Sequence, residues 1–216
     1  MYSREEIVSR IKGLYVIIDS QFAAGKDEIE LSRQVLEGGT SVIQLRDKSQ
    51  DMNKLLEKAI RIRDLCEKYG AIFIVNDYPN IALSSEAHGV HVGQQDMPID
   101  AVRRIIKQGQ IIGKSNALLD EAIESITDGV DYLAVGAIFP TDTKQNTRPA
   151  GLETLKKVRR ISNLPLVAIG GINIGNIKSV IESGADSVCV VSAVIGQDDP
   201  EASARRLVEK CGFKRN

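Results

Sequence analysis

Eight short apolar, β-branched runs recur along the chain, and their spacing constrains the fold more than any other feature. They fall at 14–18, 40–45, 71–75, 89–92, 110–113, 131–135, 165–169 and 186–191. None alternates strictly between apolar and polar residues, as expected of strands covered on both faces in a parallel sheet. Stretches of helical period lie between them. In 52–68, Leu55, Ala59, Ile62 and Cys66 recur at i, i+4, i+7 and i+11, one stripe of a helix. Segment 27–37 opens on Asp27, a candidate N-cap, and stops at Gly38-Gly39. Segments 98–107, 119–127, 151–161, 173–183 and 199–210 read the same way, and 79–86 is a short, weak helix. Over 216 residues, eight strand–helix units take about 27 residues each, which suits a (β/α)8 barrel.

A doubly wound sheet is the competing α/β architecture. It usually has five to seven strands and a Gly-rich first turn, whereas here the first strand runs into Asp19-Ser20-Gln21 with no GxGxxG. Nothing resembles a linker or a low-complexity segment. The expectation is a TIM (β/α)8 barrel, a single domain over 1–216, with 1–12 as an N-terminal helical extension.

Charge and composition exclude several function classes. Lys and Arg number 28 against 29 Asp and Glu, a net charge of -1, without the lopsided balance of a nucleic-acid surface or an acidic tail. Aromatic residues are 4% with no Trp, too few for a platform that stacks single-stranded bases. No apolar run approaches the roughly 18 residues of a membrane span, and the N-terminus lacks a signal peptide's apolar centre. Cys66, Cys189 and Cys211 are odd in number, far apart and outside any CxxC, so they read as buried small hydrophobes in a cytoplasmic, reduced protein. His88 and His91, three apart beside one strand, point to opposite faces and read as structural. The outer helices could support a homo-oligomer, but no stripe identifies an interface.

In such a barrel the active site lies at the C-terminal ends of the strands, and chemistry-bearing residues gather there. The second strand delivers Gln44, Arg46 and Lys48 at period 2, three polar groups on one face. The third ends in Asn76-Asp77, the fourth leads to Asp96 and the fifth to Lys114-Ser115-Asn116. A long polar stretch after the sixth carries Thr141, Asp142, Thr143 and Lys144. The seventh ends in Gly170-Gly171 and the eighth in Val191-Ser192. Arg46, Lys48 and Lys144 are cations suited to phosphate oxygens. Asp77 and Asp96, with waters and phosphate oxygens, match the way Mg²⁺ is commonly held. Backbone amides after the last two strands are where barrels build phosphate sites. Taken singly, Asp96 and Asp77 read equally as helix caps or turn residues, and Gly170-Gly171 as a tight turn; only their joint placement suggests two anion sites.

The motifs QLRDK (44–48), ND (76–77), GVHVGQQD (89–96), IGKS (112–115), VGAIFPTDTK (135–144), AIGGI (168–172) and VVSAVI (190–195) run in order through the strands. Together they resemble the thiamine-phosphate synthase (thiamine-phosphate pyrophosphorylase) family. The resemblance implies small-molecule substrates: 4-amino-2-methyl-5-hydroxymethylpyrimidine diphosphate and 4-methyl-5-(2-phosphoethyl)thiazole, joined to thiamine phosphate with release of pyrophosphate in a dissociative reaction. It implies that Gln44, Leu45, Arg46, Asp47, Lys48, Asn76, Ser115 and Lys144 bind the pyrimidine diphosphate, with catalytic roles for Arg46, Lys48, Ser115 and Lys144. It assigns Thr141, Asp142, Thr143, Gly171, Val191 and Ser192 to the thiazole phosphate, and Asp77 and Asp96 to Mg²⁺. Relatives commonly carry Ser-x-His after the fifth strand, whereas Ser115 is followed here by Asn116-Ala117. A thiazole tautomerase of the same superfamily is the nearest rival and a non-catalytic phosphometabolite binder the next. Ala117, with Asp77 and Asp96 both present, favours the synthase.

Overall fold

The computed structural model describes residues 2–23, 25–48, 51–141, 143 and 148–212. A short helix, α1 (Arg4–Ser9), precedes eight strand–helix units. These are β1 (Gly13–Asp19) and α2 (Glu28–Glu37), β2 (Val42–Arg46) and α3 (Met52–Tyr69), β3 (Ile72–Asn76) and α4 (Pro79–Ser84), and β4 (Gly89–Val92) and α5 (Ile99–Ile105). They continue with β5 (Ile111–Asn116) and α6 (Leu119–Thr127), β6 (Tyr132–Val135) and α7 (Gly151–Ile161), β7 (Leu166–Ile169) and α8 (Ile177–Glu182), and β8 (Ser187–Val190) and α9 (Pro200–Cys211). The strands pair in parallel in sequence order, and β8 returns to β1 to close the barrel. The expected single-domain TIM barrel is the fold.

Each strand buries both faces, which is why no run alternates. In β1, Leu14, Val16 and Ile18 pack outward with the helices, while Tyr15 and Ile17 face the barrel interior. The same alternation sends Ile43 and Leu45 outward, and Val42, Ile72, Ile74 and Ile111 inward. Ile7 and Ile11 join the interior cluster beside the first residues of β2, β3 and β5. α1 and the turn after it therefore close the N-terminal end of the barrel. A capping box between Ser3 and Glu6 starts α1, and Arg4 ties it to Asp131 at 2.7 Å.

Helix ends follow the local sequence. Asp27, Asp51 and Asp199 each accept a backbone N–H of the first turn of α2, α3 and α9. The weak segment 79–86 forms α4, with Pro79 at its first position. Among the described residues no helix is long and apolar enough to cross a membrane.

Candidate active site

Continuing the inward positions of each strand by two residues assembles the upper mouth of the barrel. Asp19, Arg46, Asn76, His91, Ser115 and Val191 line one cleft there. It measures about 1150 Å³, above the roughly 300–1,000 Å³ usual for a small-ligand pocket.

One wall carries the charge. Arg46 donates to the carboxylate of Asp19, whose side chain is only 3% exposed and also accepts the Gln21 N–H at 3.0 Å. That grip orients the guanidinium, and an Arg fork keeps further N–H donors for a second anion. Lys48 is ion-paired with Asp77 across the ends of β2 and β3. Asp77 itself has φ 63, a left-handed conformation that Asp tolerates better than most residues, and its N–H is held by His91 O at 2.8 Å. Asp96 accepts the Gly93 N–H at 2.6 Å. Asn76, Asp77, Asp96 and Ser115 all line the same cleft.

The opposite wall is built from backbone. Gly170 and Gly171 have φ 104 and 62, and a Cβ on Gly171 would lie 2.5 Å from Pro140 O, so only glycine lets this turn pack under the 136–141 segment. Gly171 and Ser192, with Thr141, Thr143 and Val191, line this side. Among the described residues none accepts a hydrogen bond from the N–H of Gly171, Ile172, Ser192 or Ala193, the usual makings of a phosphate cradle. Thr141 Oγ1 accepts the Thr143 N–H at 3.2 Å. The base of the segment is clipped by Ala137 N–H to Arg148 O at 3.0 Å and Ala150 N–H to Ala137 O at 2.8 Å. Arg148 pairs with Glu121 at 2.6 Å. Burial opposes ionisation of Glu121, but the N–H groups of Ala117 and Leu118 and the Arg148 guanidinium outweigh it and hold its pKa below the ordinary carboxylate value.

Three of the residues named from the sequence do not present their side chains to the cleft. Leu45 and Asp47 turn their side chains away from the cleft, because a strand's alternate positions face opposite sides: Leu45 lies in the outer core, and Asp47 pairs with Lys58 of α3 at 2.7 Å. Gln44 does face inward, but it sits below the cleft, donating to Tyr15 Oη at 2.7 Å. Asp142 and Lys144 lie outside the described residues.

His91, read from sequence as structural, lines the cleft. Its Nε2 is 2.8 Å from Ser115 Oγ and its Nδ1 2.9 Å from Tyr132 Oη. His88 does take the opposite face, where its Nδ1 accepts the Phe73 N–H at 3.0 Å. Asp19 and Arg148 were also missed. Asp19 carried a legible signal as a polar residue ending a barrel strand, while Arg148 had none beyond its charge. Asn116 is structural: its amide donates to Lys114 O at 2.9 Å and accepts from Ser125 Oγ at 2.7 Å. All three cysteines are buried.

The donor set suits Mg²⁺. Asp77 and Asp96 bring hard carboxylate oxygens from neighbouring strand ends to one cleft, with room for the waters and phosphate oxygens that usually complete its shell.

A family model described as thiamine monophosphate synthase matches residues 14–194. The chain is 46% identical over 195 residues to thiamine-phosphate synthase of Methanocella arvoryzae, covering 90% of this chain and 92% of that one. It is equally 46% identical over 197 residues to the enzyme of that name from Moorella thermoacetica, covering 91% and 94%. Among solved structures, thiamine phosphate pyrophosphorylase from Pyrococcus furiosus superposes with a TM-score of 0.87 at 38% identity, covering 94% of this chain and 96% of that one. The barrel and its cleft are thus those of a transferase acting on small molecules, and the chain belongs to the thiamine-phosphate synthase family.

Proposed function

We propose that the cleft binds 4-amino-2-methyl-5-hydroxymethylpyrimidine diphosphate on its charged wall and 4-methyl-5-(2-phosphoethyl)thiazole on its amide wall, and joins them to thiamine phosphate with Mg²⁺ bound. The observation that carries this reading is the pairing of two unlike anion sites in one cleft: Arg46, Lys48, Asn76 and Ser115 on one side, Gly171 and Ser192 on the other.

The reaction is dissociative. The methylene C–O bond breaks, its electron pair leaves with pyrophosphate, and the aminopyrimidine stabilises the cation left behind. The thiazole nitrogen then supplies the pair for the new C–N bond. No group on the protein has to take a proton, so the residues act by placement and charge. Arg46, aimed by Asp19, grips diphosphate oxygens. Lys48 offers a point charge between Asp77 and the leaving group. Asp77 and Asp96 would hold Mg²⁺, which supplies neutralisation of the diphosphate charge. Thr141, Thr143 and the amides at Gly171 and Ser192 hold the thiazole phosphate so that its nitrogen faces the methylene carbon. By the motif resemblance, Asp142 would join this set and Lys144 the diphosphate set. Ala117 lines the cleft with a methyl group, which offers no acid or base for tautomerisation of the thiazole.

The test is pyrophosphate release with both substrates after chelation and again after Mg²⁺ is restored. Loss on chelation, recovery with Mg²⁺ and one thiamine phosphate per pyrophosphate are expected. Turnover of the thiazole alone, or binding with no pyrophosphate released, would overturn the reading.

A further inference from the structure

Beneath the cleft floor a chain of polar groups crosses an otherwise apolar barrel interior. Gln44 Nε2 lies 2.7 Å from Tyr15 Oη, which is 3.2 Å from Tyr132 Oη. Tyr132 Oη is 2.9 Å from His91 Nδ1, and His91 Nε2 is 2.8 Å from Ser115 Oγ. The links come from β2, β1, β6, β4 and β5. Ile17, Ile72, Ile74, Ala134 and Val167 surround them in the interior cluster. Tyr15 and Tyr132 are at most 1% exposed, so bulk water does not compete for their hydroxyls. The barrel makes room for the Tyr132 ring: a Cβ on Gly113 would run into it. A buried hydroxyl costs several-fold more when unpaired than paired, and here each is paired.

The direction of the chain follows from one end. An amide nitrogen has only hydrogens to give, so Tyr15 Oη accepts from Gln44. The Tyr15 proton then goes to Tyr132 Oη, its other partner among the described residues. Tyr132 in turn gives its proton to His91 Nδ1. With Nδ1 accepting from Tyr132, the neutral form of His91 carries its single N–H on Nε2, pointing at Ser115 Oγ. Ser115 accepts there, and its own proton is left for the cleft it lines. With the opposite direction, the Ser115 proton would go to His91, and only lone pairs would face an incoming anion. Burial pushes both phenols above their ordinary pKa, so each keeps the proton the chain requires.

We propose that Gln44, Tyr15, Tyr132 and His91 are positioning residues that fix the hydrogen-bond direction so that Ser115 presents its hydroxyl as a donor to the diphosphate. The proposal rests on the reading of the charged wall as a diphosphate site. It gives the inward-facing Gln44 a role that acts on Ser115 through three other residues.

The test is the tautomer of His91, read by two-bond ¹H–¹⁵N correlation in the intact protein, together with kinetics of Tyr132→Phe and Tyr15→Phe. The chain has two histidines, and a His88→Gln variant assigns the signals. The wild-type protein is expected to show the Nε2–H form at His91. Tyr132→Phe should mix the tautomers and lower kcat about tenfold, short of the 10²–10³ of losing a donor outright, with KM for the thiazole phosphate unchanged. Tyr15→Phe, one link further from Ser115, should have the same effect with smaller size. An Nδ1–H form in the wild type, or Tyr132→Phe with wild-type tautomer and kcat, would sink the proposal. Should Tyr132→Phe fail to fold, Tyr15→Phe and the wild-type tautomer decide it. Absence of pyrophosphate release by the wild type would instead sink the diphosphate reading, while the tautomer is read independently of turnover.

Discussion

Lys48 and Asp77 form an ion pair that bridges the ends of β2 and β3 at the rim of the cleft. The Lys48 side chain is 40% and that of Asp77 15% exposed, and a pair this open to solvent adds only about 0–1 kcal/mol to stability. Its value lies in holding a carboxylate and an ammonium where a metal diphosphate would sit. Asp77→Asn keeps a residue that tolerates φ 63 and removes the charge. Turnover should fall by roughly 10²-fold or more, while denaturant-measured stability changes by less than about 1 kcal/mol. Near-normal Mg²⁺-dependent turnover would end the metal assignment.

Arg46 is aimed by a buried carboxylate, so shape should matter as well as charge. Arg46→Lys keeps the cation but cannot hold Asp19 and a phosphate with one planar fork. A fall of about tenfold or more in kcat/KM for the pyrimidine substrate is expected, with KM for the thiazole phosphate unchanged. Steady-state kinetics with each substrate varied in turn checks this.

The Glu121–Arg148 pair, at 2.6 Å, anchors the segment carrying Thr141 and Thr143 to the start of α6. Arg148→Ala should raise KM for the thiazole phosphate several-fold and leave the fold intact, since an exposed pair contributes about 1 kcal/mol at most. An unchanged KM would remove Arg148 from any role in the site.

Gly171 meets two constraints at once, φ 62 and a backbone contact with Pro140. Gly171→Ala should cost at least about 1–2 kcal/mol in the left-handed region, which at roughly 2–4 °C per kcal/mol lowers Tm by several degrees. The contact forces Pro140 to shift, so affinity for the thiazole phosphate, measured by calorimetry, should weaken as well.

His88 is a stability group away from the cleft. Burial, the largest influence, and then Arg10 and Arg63 outweigh the opposing pull of Glu67 and hold its pKa below 6.5. The unfolded chain therefore binds a proton first as pH falls. Stability should be level above about pH 6.5 and decline below it, down to the folded-state pKa. Chemical denaturation at several pH values should show this slope in the wild type and a shallower one in His88→Gln.

The regular alternation of the chain was legible residue by residue. The eight runs became the eight strands, their ends shifted by at most two residues except at β5, because strand and helix periods are local properties of burial. The largest shift is at β5, where Lys114, Ser115 and Asn116 belong to the strand. Their polarity hides this, and their alternation explains it: Lys114 turns out to Asp128 at 3.3 Å and Ser115 turns in to His91. The same alternation, applied to QLRDK, separates Arg46 from Leu45 and Asp47, which the motif alone does not.

The sequence by itself determined the order of strands and helices, the closed parallel architecture they require, and the polar character of one set of strand ends. Which of those polar groups meet was decided only by closure of the barrel. Asp19 reaches Arg46 across 27 residues of chain and His91 reaches Tyr132 across 41. Such contacts depend on strand register and inward orientation, which local propensity does not encode, and on an apolar interior that leaves each buried polar atom only a few partners to choose from.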